Sequence, residues 1–308
     1  MVLAVDFYTK MYKMFKFLIS VFKRRSQYRK YNIVKNAYKK PFSPFLRFND
    51  TITDAWYVFD EYEKNMNLFI DHYVSKGFNN FFIDIGANIG LTTLLNSNKF
   101  QKIFCFEPNE LVFNVLKTNV SLSKDSSKIH LFNVGLGLEK GEFKLRIPYN
   151  NFGGAFIEHN NSYDQKTIFQ KESFDDENPE NFLETIVKVE NDDFLLNQVM
   201  HKIKDESKGI IKIDVEGYEL NVLELIVKNL TTKNVIIIFE NWQKIEKKHL
   251  EKILKTNNEL SSFSIKYIKW LDSWYDKLKY KSIYSPILSA ENEIFLPQRS
   301  DIIIELKD

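Results

Sequence analysis

The chain has 308 residues, of which 44% are hydrophobic and 27% charged, the balance of a folded globular protein with a sizeable core. A net charge of +2 argues against a dedicated nucleic-acid binder. The single cysteine, Cys105, excludes an internal disulfide and fits a reducing compartment such as the cytoplasm; it lies in an apolar run and reads as core packing.

Residues 1–50 read as a basic amphipathic extension and linker ahead of one domain at 51–308. Between Lys10 and Lys40 there are eleven Lys or Arg residues and no acid. On a helix, Met11, Met14, Phe15, Leu18, Ile19, Val21 and Phe22 share one arc, while Lys13, Lys16, Ser20, Lys23 and Arg24 share the other. The apolar stretch Phe17–Phe22 is far short of the roughly 20 residues that span a bilayer. KRR follows it where a signal peptide would carry a small-residue cleavage site. A helix over 11–24 therefore suits either a peripheral contact with an anionic membrane surface or packing on protein. PFSPF (41–45) is a connector, and residues 54–76 show helical spacing that ends at Gly77.

From residue 81 the pattern changes. Apolar, β-rich runs at 81–85, 102–106, 129–134, 210–214 and 235–239 are interleaved with helical stretches at 89–98, 109–122 and 217–230. Near-continuous apolar strands separated by helices predict an α/β fold whose parallel sheet is covered on both faces. Residues 141–147 add a strand, and 157–185 form a polar, acidic insertion without periodicity. Two later strands are predicted at 263–268 and 301–306 within an aromatic C-terminal segment, 263–306.

The chemistry concentrates at strand ends. FFIDIGANIG (81–90) places two of only 10 glycines directly after a strand. A dinucleotide fingerprint would need glycine at position 88, where Asn88 stands, so the pyrophosphate cradle is missing. Glu107 closes the next strand about 20 residues after Gly86, the spacing at which a second-strand acid reaches a ribose diol. An acid beside the glycine turn, Asp84, favours positive charge on the ligand.

Four blocks taken together, DIGANIG (84–90), FEPN (106–109), IKIDVEGYE (211–219) and IIFE (237–240), resemble the FkbM family of class I S-adenosylmethionine (SAM)-dependent methyltransferases. The resemblance covers the core at 81–241. It implies a Rossmann-like, seven-stranded, mostly parallel sheet with an antiparallel last strand, preceded here by a helical N-terminal extension. It also implies that Asp84, Gly86, Asn88 and Gly90 line the methionine end of SAM, that Glu107 binds the ribose hydroxyls, and that Asn133 and Gly135 border the adenine.

Ligands of open parallel sheets lie over the carboxyl ends of strands, which puts Asp214, Glu216 and Glu240 where a methyl acceptor approaches. Three carboxylates in one crevice predict at least one raised pKa and hence a general base. Glu216 and Glu219 also suit a second role, as acids at a helix N-terminus. Asp214 with Glu240 and Asn241 resembles the oxygen set of catechol-type methyltransferases, which would suit a magnesium ion; the primary reading assigns no metal ligand. Lid candidates are 149–185, with Gly153 and Gly154 near its start, and 270–284, where Trp270, Trp274 and Tyr275 would stack on a sugar. His130 and His159 have no partner at catalytic spacing.

The expected activity is O-methylation of a hydroxyl on a small-molecule, sugar or glycan acceptor, a substrate class implied by the resemblance. The alternatives are a non-catalytic SAM-binding module tethered to a membrane or assembly, and a nucleic-acid methyltransferase. The latter is disfavoured because no N-P-P-Y-type motif is present and the basic charge lies outside the core.

Overall fold

The computed structural model describes residues 42–47, 50–59, 62–162, 167, 178–203, 207–232, 234–257, 262–270 and 287–307. The chain divides into two compact units, Met1–Tyr62 and Glu63–Asp308. The amphipathic stretch 11–24 lies outside the described residues. Within the first unit, the Asp50 carboxylate accepts from the Ile52 N–H at 3.0 Å and caps a helical turn, Thr51–Thr53; a π-helical turn, Asp54–Phe59, follows directly. The expected helix over 54–76 is thus interrupted. The second unit resumes it as α1 (Lys64–Val74), whose N-cap Glu63 adopts a left-handed conformation (φ +42°).

The second unit is organised by a parallel sheet. Strands β1 (Phe81–Ile85), β2 (Lys102–Phe106) and β3 (Ile129–Phe132) alternate with helices α2 (Leu91–Asn96) and α3 (Glu110–Ser121). Three more strands, β4 (Gly135–Leu136), β5 (Gly141–Pro148) and β6 (Phe156–Ile157), precede β7 (Phe182–Glu190) and α4 (Asp192–Gln198). Next come β8 (Gly209–Ile213), α5 (Glu219–Asn229), β9 (Val235–Asn241), β10 (Ile245–Glu246) and α6 (Lys247–Leu254). The chain ends with β11 (Ser262–Lys269), β12 (Ile287–Ser289), β13 (Phe295–Leu296) and β14 (Ser300–Lys307).

Among the described residues, eight strands form the main sheet in the order β12-β11-β14-β9-β8-β1-β2-β3. The five from β9 to β3 run parallel, and β14 inserts antiparallel between β9 and β11. This is the Rossmann-like class I methyltransferase arrangement, with β12 as an added antiparallel edge strand. Three residues are too few to carry a readable period, so β12 escapes the sequence pattern.

Strand alternation sorts the side chains onto two faces. Ile83, Ile85, Phe104, Phe106, Ile211, Ile213, Ile237 and Phe239 pack with Leu195, Val222, Ile226 and Leu250 of α4, α5 and α6 in the larger core. The opposite face meets α1 and α2 and carries polar groups: Thr93 bonds Asp84, and Tyr73 bonds Glu305.

A second sheet, β4-β7-β5-β6, projects from the segment between β3 and β8. Strand β7 begins inside the stretch read as an aperiodic insertion. Alternating exposure along FLETIVKVE, with Ile186 facing solvent, hides its first half among polar residues. Leu145, Ile147 and Val187 form the small core of this sheet, with Phe152, Ala155 and Ile157 against it. Among the described residues, no helix is long and apolar enough to cross a membrane.

On the α1 face, the buried Glu305 carboxylate accepts from Tyr73 Oη (2.6 Å), Lys266 Nζ (2.7 Å) and Ser264 Oγ (2.9 Å). Burial opposes its charge, but these donors prevail and hold its pKa down at about 2. A depressed carboxyl pKa stabilises the fold above the ordinary glutamate value, and that contribution disappears as pH falls toward 2. Glu305→Ala is expected to cost about 3 kcal/mol in urea unfolding at neutral pH, the low end for breaking a buried pair because Lys266 is partly exposed. The gap between wild type and variant should close progressively below about pH 4.5.

Candidate active site

The carboxyl ends of β1, β2 and β8 converge on one crevice, which the turn after β1 helps to line. Gly86 and Ala87 donate to the Phe106 carbonyl at 3.0 and 2.9 Å, and Asp214 donates to the Ile85 carbonyl at 2.9 Å. These bonds draw three strand ends together. Gly86 has φ +79°, and a Cβ there would lie 1.8 Å from the Asp214 carbonyl oxygen. Glycine is the only residue that fits.

Beyond Gly86, Asn88 is left-handed (φ +51°) and aims its N–H at Glu107 Oε2, 3.0 Å away. The Asn109 N–H donates to Glu107 Oε1 at 2.8 Å. Two backbone donors therefore set the orientation of the Glu107 carboxylate at the crevice wall. Burial pushes its pKa up to about 7 against the opposing pull of those donors.

The crevice encloses about 700 Å³ counted to its open mouth. Glu107, Pro108, Val134, Gly135 and Leu136 line it together with Asp214, Val215, Glu216 and Tyr218. Gly86 and Asn88 lie along it, while Phe152, Gly153, Ala155 and Ile157 of the second sheet form a wall. Of the two glycines in the expected lid segment, Gly153 lines the crevice and Gly154 is not among its lining residues.

Three predicted cofactor residues stand elsewhere. Asp84 is fully buried on the α2 face and does not line the crevice; it accepts from Thr93 Oγ1 at 2.7 Å. Parity decides this, because Ile85 and Asp84 leave β1 on opposite faces. Gly90 caps α2 with φ +87°, and a Cβ there would meet Leu116 Cδ1 at 2.5 Å, so its bareness serves helix packing. The exposed Asn133 turns its amide to the carbonyls of Glu107 (2.9 Å) and Pro108 (3.2 Å), bracing that loop from outside.

Carboxylates gather around the end of β8. Asp214, Glu216 and Glu240 each offer an oxygen, and these lie within 4.8 Å of one another. Trp242 Nε1 donates to Glu240 Oε2 at 2.7 Å, and Lys212 Nζ donates to Asp214 Oδ2 at 3.0 Å. Lys212 is itself buried and sits 3.6 Å from Asp84 Oδ1. Glu216 lines the crevice, whereas Glu219 turns inward and accepts from the Gly217 N–H at 3.0 Å, the helix-terminus role foreseen for it.

Asn241 does not join this group. Its amide nitrogen donates to the Pro297 carbonyl (2.8 Å) and its oxygen accepts from the Gln243 N–H (3.3 Å). Of the catechol-type oxygen set, Asp214 and Glu240 stand together with Glu216 in a group that could hold a metal ion, while Asn241, adjacent to Glu240 on β9, faces the other way.

Three groups were missed by the sequence reading. Asp301 pairs in register with Glu240 from β14; burial foremost, then the Glu240 charge, raises its pKa well above the carboxylate range while Trp270 donates to it. Glu63 reaches the same region from the N-terminus of α1 and accepts from Thr92; burial raises it too, with Lys212 opposing. Lys212 was passed over as one letter in a strand. No local signal links Glu63 or Asp301 to the site; only the sheet order does. Trp270 stands edge-on to Trp242 at 5.1 Å, and Trp274 and Tyr275 lie outside the described residues.

Gly86→Ala is expected to cost more than about 2 kcal/mol in chemical denaturation, from a forbidden φ and a backbone clash together.

Comparison with known proteins bears on the family. The profile described as Methyltransferase FkbM domain matches residues 84–263. Methyltransferase sdnD of Sordaria araneosa is 28% identical over 180 residues, spanning 54% of this chain and 67% of that protein. Methyltransferase 1 of Beauveria bassiana (strain ARSEF 2860) is 27% identical over 147 residues, spanning 46% of this chain and 57% of its own length. Among solved structures, the N-terminal domain of human METTL16 in complex with SAH aligns over 93% of this chain and 84% of that one, at 12% identity and a TM-score of 0.45. A methyltransferase FkbM from Methylobacillus flagellatus KT aligns over 74% and 44%, at 14% identity and a TM-score of 0.36. These scores are too low to carry an argument. The profile match does carry one: running from Asp84, one residue before the end of β1, to the first residues of β11 and covering more than half of the sequence, it shows that this chain belongs to the FkbM family of methyltransferases.

Proposed function

We propose that this methyltransferase is SAM-dependent and acts on a hydroxyl of a sugar, glycan or other secondary metabolite. The observation that carries the donor assignment is Glu107: a buried carboxylate at the tip of β2, held by the N–H groups of Asn88 and Asn109. A carboxylate has about four acceptor sites and these donors use two, which leaves capacity for a ribose diol. The apolar walls from Pro108 and Val134 to Leu136 suit an aromatic base, and Gly135 keeps that wall low. The negative end at Asp214 and Glu216 suits a cationic group. Asp84 acts on this end from beneath, through Lys212 and the turn it supports.

The bound donor supplies an electrophilic methyl group, for which the protein needs positioning and exclusion of water rather than covalent help. Asp214, Glu216 and Glu240 are the groups placed to take the hydroxyl proton of an acceptor. Lys212 and Trp242 orient two of them by direct hydrogen bonds. The Trp242–Trp270 pair beside Glu240 offers an aromatic edge against which a sugar ring would rest. The substrate class itself rests on the family resemblance. The proposal takes a small-molecule or glycan acceptor and no specific nucleic acid, a cytoplasmic setting that suits the buried thiol of Cys105, and a peripheral membrane contact through residues 11–24.

Glu107→Ala should weaken S-adenosylhomocysteine binding roughly 10- to 100-fold in calorimetry, the worth of a charge-assisted hydrogen bond. Wild-type affinity should fall as pH drops through about 7, where the carboxylate gains its proton, and Glu107→Gln should be weak and nearly flat over the same range. Glu240→Gln, at a residue that does not line the crevice, is expected to leave that affinity within about twofold while lowering turnover roughly 100-fold or more, the scale of lost general-base catalysis. The acceptor is to be sought with isotopically labelled donor over extracted glycans and hydroxylated metabolites, read by mass spectrometry. Absence of calorimetric heat with S-adenosylhomocysteine at high protein concentration would sink the donor assignment.

A further inference from the structure

The turn that carries Glu216 has an unusual backbone. Glu216 (φ +52°) and Gly217 (φ +91°) are both left-handed, and glutamate is disfavoured there. Such a turn persists only where neighbours over-determine it. The neighbours here come from a different part of the chain, residues 157–162 just beyond β6.

Asn161 Nδ2 donates to the Glu216 carbonyl at 2.9 Å and to the Ile157 carbonyl at 2.8 Å. Ser162 donates twice to the Gly217 carbonyl, from its N–H at 2.9 Å and from its hydroxyl at 2.7 Å. The fit is close enough that a Cβ on Gly217 would lie 2.0 Å from Asn161 Oδ1. On its other side, the Ser162 carbonyl accepts from Gln243 Nε2, in the turn that follows β9. Residues 161 and 162 thus bridge the two turns that present the three acids: Asp214 and Glu216 after β8, and Glu240 at the end of β9.

The same segment is also cofactor wall. Phe152, Gly153, Ala155 and Ile157, only a few residues upstream, line the crevice together with Glu107 and Asp214. A ligand pressing on that wall pushes on Ile157, whose carbonyl accepts from Asn161 Nδ2.

We propose that Asn161 and Ser162 are positioning residues that clamp the 214–219 turn, so that filling the donor crevice fixes Glu216 and Asp214 relative to Glu240. The clamp acts on backbone carbonyls and touches neither donor nor acceptor. This inference rests on the donor reading of the crevice, and the test separates the two.

Backbone hydrogen–deuterium exchange on the full chain, with and without S-adenosylhomocysteine, reads both. In the wild type, the ligand should slow exchange at 86–88 and 107–109, where it would sit, and at 214–219 by at least tenfold. In the double variant Asn161→Ala/Ser162→Ala, slowing at 86–88 and 107–109 should persist, while that at 214–219 should shrink to less than about twofold. Ser162→Thr keeps a hydroxyl donor and should behave as wild type, which a loss of loop packing alone would not predict. Full ligand protection of 214–219 in the double variant, with the Glu107 region protected as well, overturns the clamp and leaves the donor site standing. Absence of protection around Glu107 in the wild type overturns the donor reading itself, and the clamp with it.

Discussion

At the end of β1 the main chain passes so close to the end of β8 that no side chain fits between them. The Asp214 carbonyl occupies the space where any Cβ on residue 86 would project. This contact joins the first glycine turn to the DVEG turn and fixes the distance between the two halves of the crevice. Bonds from Gly86 and Ala87 to Phe106 extend the same junction to β2, which brings Glu107 to its place. A chain that uses glycine sparingly spends one where three strand ends must meet backbone to backbone.

Around that junction the electrostatics are uneven. Asp84, Asp214, Glu63, Glu240 and Asp301 crowd one region, with Lys212 as the buried cation among them. Burial raises Asp84, Glu63 and Asp301, and the Lys212 charge opposes the rise at Asp84 and Glu63. The trio of Asp214, Glu216 and Glu240 therefore belongs to a larger set of acids that feel one another's charge. The expectation placed a raised carboxyl among Asp214, Glu216 and Glu240; the group raised beside them is Asp301, from the antiparallel strand. Asp301 faces Glu240 because β14 runs back along β9, and neither strand's own pattern marks the pair.

The second sheet gives the crevice its remaining wall. Its small core of Leu145, Ile147 and Val187 supports Phe152, Ala155 and Ile157, which face the site from outside the parallel sheet. The segment that continues from β6 then bonds the carbonyls of Glu216 and Gly217. What reads as a polar insertion in the sequence is, over its described part, a structural partner of the active-site turns.

The sequence by itself determined the elements of the parallel sheet and the acids at their tips. Runs of β-branched and aromatic residues bounded by glycine and helical spacing are local patterns, and β1 and β2 fall where those runs predict. Glu107, Asp214 and Glu240 were legible for the same reason, since a ligand over a parallel sheet lies at the carboxyl ends of strands. Facing and partnership were decided only by tertiary structure. Asp84, Gly90 and Asn133 belong to the right turns yet point to a helix, a packing contact and a loop carbonyl, because one residue of offset reverses the side of a strand. Glu63, Asp301, Asn161 and Ser162 come from segments far apart in the chain. Sheet order and backbone carbonyls bring them to the site, and neither leaves a mark in the identity of neighbouring residues.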